Sequence, residues 1–150
     1  MTIRSMSWVI ATALCAWTFA AAEKKVQWKD LPAAVQQAIQ EQTKGAQIRG
    51  LSEETEEGQV QFEVETVTGG KSRDLTFDRA GKVIEIEQEV GIDSLPAAAR
   101  ASIQKRASGG KIVRVETVTR GPVITYEASY SKGGRTHEVG VKADGTAVKD

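Results

Sequence analysis

Cysteine and histidine are almost absent from this chain of 150 residues, with Cys15 and His137 as the single examples. A lone cysteine forms no internal disulfide and supplies no cysteine-rich metal site. The chain also has no G-x-S-x-G motif, and a serine triad needs a histidine base that a third group orients. We therefore predict a protein that is not an enzyme and carries no cofactor, with His137 as a structural residue that lies at a strand edge or is partly buried.

Aromatic residues are also scarce, at 5% of the sequence, and beyond residue 22 only one Trp, two Tyr and two Phe remain. Trp, Tyr and Arg dominate tight protein interfaces, so any binding surface is predicted to use polar and charged contacts that weaken with salt. The net charge is zero overall, but it is −5 over residues 23–90 and +4 over residues 91–150. Neither half is basic enough to predict nucleic-acid binding.

The N-terminal segment carries one charge, Arg4, before Glu23. An apolar run begins at Trp8, and residues 20–22 are all alanine. This order is typical of a secretory signal peptide. We predict a signal peptide over residues 1–22 with cleavage after Ala22 or nearby, a periplasmic or secreted location, and no membrane span in the mature protein. An uncleaved N-terminal anchor is the alternative.

The stretch DLPAAVQQAIQ at residues 30–40 recurs as SLPAAARASIQ at residues 94–104, an offset of 64. Without any gap, the same offset aligns further turn and strand residues: Gly45 with Gly109, Phe62 with Tyr126, Gly69–Gly70 with Gly133–Gly134, and Gly81 with Gly145. Agreement at so many turn positions indicates an internal repeat. We divide the mature chain into a first repeat over residues 23–90 and a second over residues 91–150.

Each repeat is predicted to open with a helix. Asp30 and Ser94 are good N-cap residues, a proline follows each of them within the first turn, and Gly45 and Gly109 are suited to end the helices. Four strands follow, because apolar and polar residues alternate along segments such as QVQFEVET and KVIEIEQE.

The alternation predicts which side chains face the helices. In the first repeat Ile84 and Ile86 face inward, and in the second Ile124 and Tyr126 do so. The predicted fold is α+β, with two tandem α-β-β-β-β repeats that form an antiparallel sheet, both helices on one face and the other face open. The two halves form either one continuous sheet or two sheets side by side.

The motifs of the first repeat carry a family resemblance. DLPAAVQQAI followed by GQVQFEVETVTGGKSRDLTFDRAGKVIEIE resembles the PepSY-like, β-lactamase-inhibitor-like (BLIP-like) family of small secreted bacterial domains. Residues 30–89 match the family pattern closely, whereas residues 94–148 depart from it, with VKADG in place of FDRAG. The resemblance implies a periplasmic or secreted binding protein that acts on peptidases or other envelope proteins, and it implies no catalytic motif.

The open face of the predicted sheet is rich in acidic side chains. The candidate protein-binding surface consists of five glutamates: Glu63, Glu65, Glu85, Glu87 and Glu127. A solvated polar face without a ligand is the simplest interpretation, since exposed strand faces are commonly acidic. Clustered carboxylates can also bind a hard cation such as calcium.

Two functional hypotheses follow. The first is a non-catalytic periplasmic or secreted binding or regulatory protein whose partner is an envelope or secreted protein of unknown identity. The second is a small-molecule or divalent-cation sensor that uses the acidic sheet face of the first repeat. An enzyme would require a concave cluster of titratable groups, which the sequence does not predict around His137.

Overall fold

The structure, a computed structural model, describes residues 24–56 and 58–148. The predicted signal peptide lies outside the described residues. The described residues hold twelve strands and helical segments in this order: β1 (Lys24–Lys25), a 3-10 turn (Trp28–Asp30), α1 (Ala33–Gln42), β2 (Gln47–Glu56), β3 (Gln59–Thr68), β4 (Lys71–Asp78), β5 (Val83–Glu89), a 3-10 turn (Ile92–Ser94), α2 (Ala97–Arg106), β6 (Lys111–Arg120), β7 (Val123–Lys132) and β8 (Arg135–Val141).

The eight strands form one antiparallel sheet in chain order. Each strand pairs with the next strand along the chain, and the junction between the repeats is the pair β5–β6, in which Ile86 lies opposite Thr119. The predicted α+β fold is therefore confirmed, and the two halves share one continuous sheet.

Two hydrophobic cores lie on the same side of this sheet, one under each helix. The first joins Val35 and Ile39 of α1 to strand residues that include Phe62, and the second joins Ile103 of α2 to strand residues that include Ala128. Because side chains alternate along strands, the residues between these positions point to the opposite face. The helices leave that face uncovered, as predicted.

The repeat extends to irregular details of the backbone. β2 has a register shift between Ile48 and Gly50 where it pairs with β3, and β6 has one between Ile112 and Arg114 where it pairs with β7. The two shifts lie 64 residues apart. A β-bulge is a specific feature of a strand rather than a random defect, so this agreement supports the duplicated architecture.

A glycine turn packs against each helix at equivalent positions. Gly81 has φ +81°, and a Cβ built there would lie 2.5 Å from the carbonyl oxygen of Ala34 in α1. Gly145 has φ +81° as well, and its Cβ would lie 2.7 Å from the carbonyl oxygen of Ala98 in α2. Both the left-handed backbone and the close approach require glycine.

The predicted helix starts are wrong by two residues. Asp30 and Ser94 do not cap the α-helices; they end the short 3-10 turns that precede them. Pro32 occupies the N-cap position of α1, with extended backbone, and its carbonyl oxygen accepts a hydrogen bond from the Gln36 amide at 3.0 Å. The Asp30 carboxylate instead accepts a hydrogen bond from the Gln27 amide at 3.3 Å.

The last predicted strand of the second repeat lies mostly outside the described residues. The segment equivalent to β5 contributes only a bridge between Val141 and Ala147 within the described residues. The equivalent of β5 begins at Ala147, so the structure describes only its first two residues, 147 and 148.

Two inward assignments also need correction. In β5, a register shift opposite Thr76 and Phe77 brings Val83 rather than Ile84 against the first core, together with Ile86. In β7, Ile124 is 52% exposed instead of buried.

The surroundings of Ile124 differ from those of the equivalent residue in the first repeat. Its equivalent in the first repeat, Val60, packs against the core, and the guanidinium of Arg79 lies 6.0 Å from the ring centre of nearby Phe62. Ala143 stands at the position of Arg79, so the second repeat has no equivalent of this arginine.

Candidate functional site

All five glutamates of the candidate surface lie on the sheet face away from the helices, which we call the open face. Glu63 and Glu65 flank the buried core residue Val64 in β3, and Glu85 and Glu87 flank Ile86 in β5. Glu127 precedes the buried Ala128 in β7. Because both neighbours of a core-facing residue point away from the core, these carboxylates share one face.

Strand register brings further acidic residues beside them. Asp74 in β4 lies directly opposite Glu87. Glu116 in β6 lies between Glu89 on one side and Glu127 on the other. Directly opposite residues have Cβ atoms about 4.5–5.5 Å apart, so the carboxylates form a nearly continuous acidic surface across the middle of the sheet.

Small side chains fill the spaces between these glutamates. Ser52 and Thr76 lie on either side of Glu63, and both are buried. Val118 lies opposite Glu87 and is also buried. The long acidic side chains therefore stand over short ones and shield them from water, which also holds the carboxylates partly out of solvent.

The closest group of carboxylates consists of Asp74, Glu87 and Glu116, each of which offers one oxygen within 4.8 Å of the others. Glu116 is the most buried of the three, at 8% exposure. The hypothesis of a cation sensor placed the ligands on the first repeat alone, whereas this group takes Glu116 from the second repeat. The group exists only where the two repeats meet.

Asp74 and Glu116 were not among the predicted site residues, although the sequence holds a signal for one of them. In KSRDLTF, Asp74 precedes the inward Leu75, so strict alternation places it on the open face. Glu116 lies in β6, where the bulge after Ile112 disturbs the alternation. Its position between two other glutamates depends on the β5–β6 junction, which the repeat pattern alone does not specify.

Arginines and hydroxyls partly compensate the negative charge. Nε of Arg114 lies 3.2 Å from a carboxylate oxygen of Glu116, and the Ser72 hydroxyl donates to the other oxygen at 3.4 Å. Arg120 forms an ion pair with Glu85 at the β5–β6 junction.

Glu87 stands out in this electrostatic environment. Burial raises its pKa to about 7, and the neighbouring charges of Glu85, Glu116 and Glu127 add to the increase. Burial also raises the pKa values of Asp74, Glu85 and Glu116, but nearby arginines oppose the increase in each of these three. The open face thus holds carboxylates that are crowded and incompletely neutralised.

The acidic residues line a concavity of about 430 Å³ on the open face. Glu63, Glu65, Asp74 and Glu87 contribute to its walls, together with the guanidinium-bearing residues Arg49 and Arg114. The depression is shallow, and its lining is mainly charged and hydroxylic. Its chemistry suits a cation or a basic side chain better than an apolar ligand.

The aromatic residues and the histidine lie elsewhere. Trp28, Phe62 and Phe77 belong to the first core or pack against it. His137 is exposed on β8, as predicted for a strand edge, and its ring stacks on Tyr130 with the centroids 5.2 Å apart. By the alternation of β8, His137 shares the helix side with Val139 and lies on the opposite face from the acidic residues.

No family model matches the chain, and neither does any curated protein. Solved structures do match it. A protein from Bacteroides eggerthii DSM 20697 that is assigned to the periplasm superposes with a TM-score of 0.64 at 15% identity, covering 79% of this chain and 86% of that one. A DUF2874 family protein from Bacteroides uniformis ATCC 8492 gives 0.61 at 16% identity, with coverage of 79% and 86%.

A BLIP-like protein from Bacteroides fragilis NCTC 9343 gives a TM-score of 0.55 at 16% identity, covering 77% of this chain and 82% of that one. At these identities the similarity defines the class by fold: the chain has the BLIP-like α+β fold, in which helices cover one face of an antiparallel sheet. Within the described residues, no helix is long and apolar enough to cross a membrane.

Proposed function

We propose that this protein is a non-catalytic, exported binding protein that uses the open face of its sheet to hold a positively charged region of an envelope or secreted protein. One observation carries the proposal: the five predicted glutamates share a helix-free face that runs across both repeats and gains Asp74 and Glu116 from neighbouring strands. The PepSY-like resemblance of the sequence and the fold shared with the proteins from Bacteroides support the same class.

The electrostatics favour a cationic partner. Crowded carboxylates with raised pKa values repel one another, so a lysine or arginine placed among them relieves that repulsion on binding. The described aromatic residues are in or against the cores, except Tyr130 of β7, which stacks on His137 on the helix side of the sheet, so they supply no hot spot on this face. Affinity should therefore come from charge and fall steeply as salt is raised.

A capture experiment with envelope extract tests this function. The immobilised protein should retain a specific basic partner at low salt and release it at about 0.5 M salt, where charges more than a few ångströms apart are screened. The double variant Glu85→Gln/Glu87→Gln should lose the partner. Glu41→Gln, an exposed charge on α1, is the matched control and should retain it. Equal capture by both variants would contradict the proposal.

The absence of catalysis is part of the proposal. The single imidazole lies on the far side of the sheet from the carboxylates, so no acid–base pair involving histidine can form on the open face. Export is proposed from the N-terminal segment, and N-terminal sequencing of protein from a periplasmic fraction tests it. A mature chain that begins near Glu23 is expected.

A divalent-cation sensor is the second candidate, and the Asp74–Glu87–Glu116 group favours it. Three carboxylate oxygens within 4.8 Å of one another suit calcium, which prefers oxygen ligands. Calcium at millimolar concentration should then raise the melting temperature of the wild type, while Glu87→Gln should show a much smaller increase. An equal increase in both proteins, or none in the wild type, excludes this site without affecting the test of the protein partner.

A further inference from the structure

The first and last strands of the sheet, β1 and β8, correspond to two strands, β5 and β4, that pair with each other inside the chain. β1 pairs with β2 in the register that β5 uses with β6: Lys24 lies opposite Glu53, and Gln88, 64 residues later, lies opposite Thr117. The hydrogen bonds also correspond. The Val26 amide donates to the Leu51 carbonyl at 3.0 Å, and the amide of Val90 makes the equivalent bond at 2.9 Å. β1 is therefore the equivalent of β5. It pairs with β2, the equivalent of β6, but among the described residues no equivalent of β4 lies on its other side.

At the opposite end of the sheet, β8 lacks a strand on its outer side among the described residues. β8 is the equivalent of β4, and its residues Arg135–Glu138 pair with β7 but with no second strand of the described chain. All four are exposed, whereas Ser72, Arg73 and Asp74, the β4 equivalents of the last three, are half-buried because β5 covers them. An uncovered edge of this kind offers unpaired backbone groups to another strand.

We propose that β8 of one molecule pairs with β1 of a second copy of this chain, so that the sheet continues from copy to copy in the register of the internal β4–β5 pair. In that register Lys24 of one copy lies opposite His137 of the next, as Gln88 lies opposite Arg73 within the chain. Repeat proteins reuse one interface between successive units, and the β4–β5 pair shows that the equivalent strands of the first repeat pair in this register. This inference does not depend on the proposed function.

Charge supports a second copy as the occupant. The junction places the first repeat of one molecule, with a net charge of −5, beside the second repeat of another, with +4. Locally, Lys25 stands at the position of Glu89, and Glu138 at the position of Asp74. These two positions are diagonal neighbours on the open face, about 7–8 Å apart, so an acidic pair inside the chain becomes an opposite-charge pair between copies.

Pairing of this kind is head to tail and leaves a free edge at each end. Such an interface does not close on itself, so the weight-average mass should rise with concentration without a plateau at the dimer. The edge is short, and we expect association at high micromolar to millimolar concentration.

Cysteine cross-linking tests the register. Lys24→Cys and His137→Cys are made separately in the full chain carrying Cys15→Ser, so that each protein has one thiol. Opposite residues in an antiparallel pair have Cα atoms about 4.5–5.5 Å apart, within disulfide range. Oxidation of the mixture should yield the mixed dimer far above a control that pairs Lys24→Cys with Lys105→Cys on α2. No excess over this control, or equal homodimers of each variant alone, would overturn the proposal.

A charge swap provides the second readout. Lys25→Glu and Glu138→Lys should each weaken association by roughly two- to five-fold in sedimentation velocity, which is the range for one cross-strand charge pair. The double variant Lys25→Glu/Glu138→Lys should restore it. Failure of the double variant to recover association would refute the proposed neighbourhood even if the single variants weaken it.

Discussion

Protonation of Glu87 should control the stability of the sheet near neutral pH. The folded protein holds the proton up to about pH 7, whereas the ordinary value is 4.5. Stability contributed by the protonated carboxyl is therefore complete below about pH 4.5 and is lost as the pH rises through about 7. The full shift corresponds to about 3.4 kcal/mol at 1.36 kcal/mol per pH unit, and solvent screening of this half-buried group reduces it to about 1–2 kcal/mol.

Glu87→Gln removes this dependence because the amide stays neutral at every pH. At pH 8 the variant should be more stable than the wild type by about 1–2 kcal/mol, and at pH 4.5 the two should agree. Urea unfolding followed by far-UV circular dichroism from pH 4.5 to 8.5, at fixed low salt, measures both quantities. In thermal unfolding, a chain of this size should show about 3–6 °C for each kcal/mol.

Glu41→Gln serves as the control, since it removes one carboxylate from an exposed position on α1. Its stability should follow the wild type across the whole pH range. The reasoning fails if Glu87→Gln is less stable than the wild type at pH 8. It also fails if the wild type becomes more stable between pH 5 and 8, because crowded carboxylates on the open face require the opposite slope.

Two further pairs of variants test the packing of the repeats, both by urea unfolding at pH 6. Gly81→Ala should destabilise the protein by about 2–4 kcal/mol, because the new Cβ clashes with the Ala34 carbonyl and the positive φ is unfavourable for alanine. Gly69→Ala should cost only about 1 kcal/mol, because open space surrounds Gly69 and only its positive φ is unfavourable. Ile103→Ala should cost about 2–5 kcal/mol because Ile103 is fully buried, whereas Ile124→Ala should cost less than about 1 kcal/mol because Ile124 is half exposed. Equal effects within either pair would contradict the assigned environments.

The fold could be predicted from the sequence because its signals are local and repeated. Gly69–Gly70 and Gly133–Gly134 both have positive φ, as a two-residue hairpin between twisted strands requires. Alternation alone placed Phe62 and Val64 in the core. The helix starts were missed because Asp30 and Ser94 resemble N-caps by residue type, whereas the proline two positions later can itself begin the helix with its extended backbone.

The candidate site could be predicted only in part. The shared face of its five glutamates could be predicted, because side chains alternate between the two faces along each single strand. The close group around Glu116 follows from the pairing of β5 with β6, and that is a tertiary fact about where two repeats join. Burial of Glu116 likewise depends on neighbours from other strands, so neither its exposure nor its pKa could be inferred from VETVT alone.

The acidic group belongs to the junction between the repeats rather than to either repeat. Asp74 and Glu87 come from the first repeat and Glu116 from the second, and the first-repeat equivalent of Glu116 is Ser52. A junction between copies would bring Glu138 near Lys25, with Glu23 at the position of Glu87, so it would carry fewer uncompensated acidic charges than the internal junction. The same strand geometry thus gives two surfaces of different charge: a less acidic one between copies, and an acidic one suited to a cation within the chain. Binding at the open face and association at the sheet edges can therefore be tested, and can fail, independently.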